Sequence, residues 1–84
     1  MKIKVVVEIV IPKLDERYNM FLPINKRIGN IVLLVSKAIE EISNGLYKCN
    51  KQASLYNSET GERYDTNKLL YETNIRNGSV LVLD

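Results

Sequence analysis

Apolar residues occupy every second position from Ile3 to Ile11, where Ile3, Val5, Val7, Ile9 and Ile11 alternate with Lys4, Val6, Glu8 and Val10. A two-residue period rich in β-branched side chains predicts a half-buried strand, which we place at Lys2 to Ile11. Pro12 and the charges up to Arg17 break the pattern. An extended run resumes from Tyr18 to Leu22 and stops at Pro23, giving an N-terminal hairpin. Ile28, Ile31, Val32, Val35, Ile39 and Ile42 then recur at three- and four-residue spacing. This predicts an amphipathic helix over 28–42, closed by Asn44-Gly45 in the left-handed conformation.

Beyond the helix the signals shorten. Leu46 and Tyr47 are expected to plug the bottom of the core. A strand follows at Gln52 to Tyr56, with Ala53 and Leu55 on one face and Ser54 and Tyr56 on the other. Asn57 to Gly61 is a dense turn signal, and Glu62 to Asp65 is expected to return from it. Leu69-Leu70-Tyr71 suggests a single helical turn. After Asn77-Gly78, the apolar run Ser79 to Leu83 predicts a strand at the centre of a sheet, buried on both faces. A terminal strand in that place must pair with the first, and the only helix must cover the sheet's apolar face. The expected fold is therefore α+β: a ββαββ mixed sheet of the β-grasp kind with one amphipathic helix on one face, forming a single domain over 1–84.

Composition narrows the chemistry. With one cysteine and no histidine in 84 residues, an internal disulfide is excluded and the commonest zinc ligand and general base are missing. No apolar run approaches the length that spans a bilayer, so no membrane insertion is expected, and Glu8 interrupts any signal-peptide pattern. The net charge of +2 is spread without a basic run, which argues against a nucleic-acid partner. No glycine-rich phosphate loop or paired catalytic acids can be found, so neither an enzyme nor a cofactor is expected. Cys49 lies near Lys48 and Lys51 but has no catalytic companion, and the oxygen-rich turn 57–62 lacks the spacing of a calcium loop.

The order of elements resembles ubiquitin over nearly the whole chain, carried by Leu70-Tyr71-Glu72-Thr73-Asn74-Ile75 and the closing strand Ser79 to Leu83. More closely, the sequence resembles the YukD/EsaB-like ubiquitin-like proteins associated with type VII secretion systems of Gram-positive bacteria. Ser54-Leu55-Tyr56-Asn57, Lys68-Leu69-Leu70, Ile75-x-Asn77-Gly78 and the apolar final strand carry that likeness. The resemblance implies a small cytoplasmic bacterial accessory or adaptor protein that is not conjugated and acts by protein binding. Its implied partner is a membrane secretion ATPase or another secretion component. The first hairpin and the helix-to-strand connection are longer than the family pattern, and a homodimer is left open. The ending Leu83-Asp84 lacks the glycine carboxylate that activating enzymes use, which predicts that ubiquitin-style conjugation is not the mode of action.

Five residues are the candidate protein-binding positions. At 100° per residue from Ile28, Leu33 falls at about 140° and Leu34 at about 240°, which points Leu33 outward and puts Leu34 at the margin of the core face. Phe21 and Val10 face outward from the hairpin in the expected register, and Tyr56 stands with Ser54 where ubiquitin carries its partner-binding aliphatics. Two alternatives share the fold. A sulfur carrier would need the missing terminal glycines, and a nucleic-acid-binding module would need Lys2, Lys4, Lys48 and Lys51 on one face.

Overall fold

The computed structural model describes residues 3–84; Lys2, expected in the first strand, lies outside them. Strand β1 (Lys4–Ile11) pairs antiparallel with β2 (Glu16–Pro23) in an unbroken register from Lys4 opposite Pro23 to Ile11 opposite Glu16. Helix α1 (Ile28–Ile42) crosses to the far side, followed by the short β3 (Leu55–Asn57) and β4 (Val80–Leu83). The sheet order is β2-β1-β4-β3, with β4 parallel to β1 and antiparallel to β3. The expected mixed ββαββ sheet with one helix on one face is thus what forms.

One side of that sheet makes the core. Val5, Val7, Ile9 and Ile11 bury their side chains against Ile28, Ile31, Val32, Val35 and Ile39 of α1, with Leu55, Leu81 and Leu83 completing the layer. The helix starts where Ile28 N–H donates to Lys68 O at 2.9 Å and Gly29 N–H donates to Thr66 O at 3.0 Å. A Cβ at residue 29 would lie 3.3 Å from Thr66 O. Glycine therefore lets the 66–68 segment dock against the first helical turn, and this offsets its low helix propensity. At the other end Asn44 (φ 54°) and Gly45 (φ 83°) take the predicted left-handed conformation, and Gly45 N–H returns to Glu40 O at 2.9 Å.

Several boundaries and burials differ from the sequence reading. β2 begins at Glu16, not Tyr18, because a single 3-10 turn (Pro12–Leu14) and Asp15 at φ 52° close the hairpin at once. Pro23 ends β2 on a sheet edge, where its missing N–H costs no ladder bond. Ile3 is 66% exposed at the open end of the hairpin, and Ile42 is 54% exposed, since the last helical turn overhangs the layer. Of the pair expected to plug the core only Tyr47 is buried, while Leu46 is 80% exposed. The third strand is Leu55–Asn57, and the segment 62–65 contributes one bridge, Arg63 opposite Tyr56, instead of a strand. β4 does lie between two neighbours, but only Leu81 and Leu83 are buried; Val80 and Val82 are half-buried on a face that no element covers.

Candidate functional site

The helix covers one face of the sheet, and the strand register determines what the other face presents. Val6, Glu8 and Val10 of β1 point to that open side. Register sets Val10 opposite Arg17 and beside Val82, which in turn faces Tyr56, so one row spans all four strands. The next row is Asn19, Glu8 and Val80, and a third pairs Phe21 with Val6. Arg17 Nη1 donates to Glu8 Oε2 at 3.0 Å across the two rows. The result is an apolar band of Val6, Val10, Val80, Val82, Tyr56 and Phe21 with one ion pair laid over it. Tyr56 and the valines are half-buried and Phe21 is 71% exposed. Such a face can bind a protein surface, and among the described residues no three His, Cys, Asp or Glu side chains gather as metal ligands would.

A polar corner adjoins this band. Tyr64 Oη donates to Asn74 Oδ1 at 2.8 Å and accepts from Asn57 Nδ2 at 3.2 Å, in a cavity also lined by Ser79 and Val80. Burial pushes the Tyr64 phenol above its ordinary value, with the hydrogen bond from Asn57 opposing and the nearby Glu62 charge adding to the rise. The oxygen-rich turn is held by itself: Asn57 Oδ1 accepts from Glu59 N–H at 2.8 Å and Thr60 N–H at 3.1 Å.

Comparison with solved structures follows the whole chain. The N-terminal ubiquitin-like domain of the 4931431F19Rik protein superposes with a TM-score of 0.68 at 19% identity, over 100% of this chain and 76% of that one. The fold is ubiquitin-like. The ubiquitin-like domain of the Mycobacterium tuberculosis type VII secretion protein ECCD1 matches with a TM-score of 0.62 at 14% identity, covering 99% of this chain and 98% of that one. A chain of the MycP5-free ESX-5 inner membrane complex gives a TM-score of 0.73 at 15% identity, over 99% of this chain but 21% of that one. No protein-family model and no curated protein sequence matches.

In this ubiquitin-like domain the five residues expected to bind a partner do not form one surface. Phe21, Val10 and Tyr56 share the open sheet face. Leu33 and Leu34 lie on α1, on the other side of the sheet. Their order is also reversed: Leu34 is 53% exposed and Leu33 half-buried. The buried arc of α1 includes Ser36 and is centred so that both leucines fall about 130° away on opposite sides, and helical angle alone does not rank them. Ser54, expected to point outward beside Tyr56, is buried, with its N–H and C=O both bonded to Asp84 at 3.0 and 3.1 Å. Val6, Val80 and Val82 were missed. Alternation in β1 places Val6 with Val10, whereas the all-apolar run of β4 hid its two-sided character.

The nucleic-acid alternative needed four lysines on one face. Lys48 and Lys51 line a cavity with Lys13 and Leu46, near the hairpin turn that follows β1. Lys4 lies at the opposite end of that strand, beside Pro23, roughly 23 Å away at the rise of an extended chain. Lys4 does not converge with Lys48 and Lys51, and Lys2 lies outside the described residues. Cys49 sits half-buried in the same lysine-lined cavity and its N–H donates to Glu40 Oε1 at 2.7 Å. Among the described residues no helix is long and apolar enough to cross a membrane.

Proposed function

We propose that this ubiquitin-like domain is a non-enzymatic adaptor that docks through its open sheet face on a protein component of a type VII-like secretion system, at the cytoplasmic side of the membrane. The observation that carries the reading is the apolar band of Val6, Val10, Val80, Val82, Tyr56 and Phe21 on the sheet face opposite α1. The sequence resemblance to the YukD/EsaB-like proteins and the structural likeness to the type VII ubiquitin-like domain support the choice of system. A membrane secretion ATPase is the leading partner. The half-buried valines give a flat apolar floor, while Tyr56 and Phe21 provide rigid aromatic contact at low entropic cost.

The test is capture of the soluble domains of the secretion components encoded by neighbouring genes, using the wild-type chain and the double variant Phe21→Ser/Tyr56→Ser. Binding that falls at least about tenfold in the double variant, with an unchanged thermal midpoint, supports the reading. Equal binding by both proteins refutes the face, and binding to none of the components refutes the system.

A further inference from the structure

Four stretches of chain meet at the end of the sheet where β1 begins. Ile24 N–H donates to Ile3 O at 3.1 Å, Tyr71 N–H to Ile24 O at 3.1 Å, Leu70 N–H to Lys26 O at 2.9 Å and Ile28 N–H to Lys68 O at 2.9 Å. Gly78 N–H donates to Val6 O at 2.9 Å and Val6 N–H to Asn77 Oδ1 at 2.9 Å, which brings residues 76–78 to the same end. These bonds gather cations that the sequence keeps apart: Lys4, Lys26, Arg27, Lys68 and Arg76, all exposed. Of the twelve cations and ten acids in the sequence, these stretches hold five of the first and only Asp65 and Glu72 of the second, so the excess of positive charge lies here. Asp65 Oδ1 accepts from Asn67 N–H at 2.9 Å and Glu72 Oε1 from Leu69 N–H at 2.8 Å. The only ion pair among the described residues joins Arg17 and Glu8, so none of the five cations has a carboxylate partner there. On the β3 side the turn 57–62 carries Glu59 and Glu62, which confines the positive surface to β1, β2 and the start of α1.

Two large apolar side chains stand out of the same end. Ile3 is 66% exposed and Tyr71 is 56% exposed, and both are tied to Ile24 through the backbone bonds above. Cations around an outward isoleucine and an amphipathic aromatic ring match the layering of a membrane interface. Lysine and arginine pair with headgroup phosphates, a tyrosine ring settles at headgroup level, and an aliphatic side chain reaches the acyl boundary. An acidic protein segment or a nucleic-acid backbone would match the charges, but neither offers apolar depth to Ile3.

We propose that this basic end docks the domain peripherally on an anionic lipid bilayer, with Lys4, Lys26, Arg27, Lys68 and Arg76 against the headgroup phosphates and Ile3 and Tyr71 entering the interface. The strands then stand up from the membrane. The open sheet face runs along the strands, so it stays accessible to a protein partner while the end of the sheet is on the lipid. The hairpin turn at the far end of β1 is roughly 23 Å away, about two Debye lengths at 0.1 M salt, so charges there contribute little.

The proposal shares with the adaptor reading only a place beside a membrane and uses a different surface. The test is co-sedimentation of the full chain with vesicles of phosphatidylcholine, either alone or with about one third phosphatidylglycerol, at roughly 0.1 M salt. Binding is expected to the anionic vesicles alone and to fall as salt is raised. Lys26→Glu/Lys68→Glu should weaken it about tenfold or more, and Tyr71→Ser about threefold, with unchanged thermal midpoints. Lys13→Glu/Lys48→Glu makes the same change in net charge at the other end and should stay within about twofold of wild type. The open-face variant Phe21→Ser/Tyr56→Ser should bind vesicles as wild type does. No sedimentation with anionic vesicles overturns the proposal, and equal losses in the two lysine-pair variants overturn the assigned end. Binding to an oligonucleotide, or capture of a secretion component, that Lys26→Glu/Lys68→Glu abolishes while vesicles bind nothing gives the basic end to that partner and overturns the lipid. Capture that depends on Phe21 and Tyr56 without vesicle binding removes this proposal and leaves the open-face reading standing.

Discussion

Ser36 lies at the middle of α1 with no exposed surface, and its hydroxyl has no hydrogen-bond partner among the described residues. A buried polar group left unpaired costs about 1–3 kcal/mol. Alanine removes that cost and raises helix propensity by up to roughly 0.5 kcal/mol. Against this stands the space left by one oxygen, on the order of 15 Å³, which at the usual cavity cost is about 0.4 kcal/mol. The balance favours the variant: Ser36→Ala should stabilise the fold by about 1–2 kcal/mol. For a domain this small, each kcal/mol moves the midpoint roughly 4–8 °C, so calorimetry should find it raised by at least about 4 °C. Chemical denaturation should show a higher midpoint at constant m-value. A lower midpoint for Ser36→Ala would refute the reasoning, because it would mean that the hydroxyl is satisfied in solution by a helix carbonyl or an internal water.

Ile39 is fully buried in the same helix, and Ile39→Ala should cost about 2–5 kcal/mol by urea denaturation, enough to consume much of a small domain's stability. Asp15 turns the hairpin at φ 52°, which a β-branched side chain tolerates poorly, so Asp15→Val should lose about 1–2 kcal/mol while Asp15→Gly holds near wild type. The raised Tyr64 pKa means that the unfolded chain gives up its phenolic proton first; stability is full below the ordinary value of 10.0 and falls as pH climbs through the folded value. Ultraviolet titration should show a late tyrosine ionisation that Tyr64→Phe removes.

Where one face of an element was apolar and the other charged, the sequence stated the structure directly. The helix over 28–42 and the inward set Val5, Val7, Ile9 and Ile11 emerge from period alone because burial on one side leaves a polar record on the other. β4 carries no such record. Its run Val80-Leu81-Val82-Leu83 reads as buried on both sides, yet Val80 and Val82 stand on the open face. The error matters because a rule that converts apolar residues into core erases the exposed apolar positions among which a binding face would be sought. Ser54 failed in the opposite sense. A small polar residue was given to solvent, while the edge backbone folds it in against Asp84. Leu33 and Leu34 could not be ranked because their exposure depends on whether β2 or the Lys26–Asn30 side lies beneath each one.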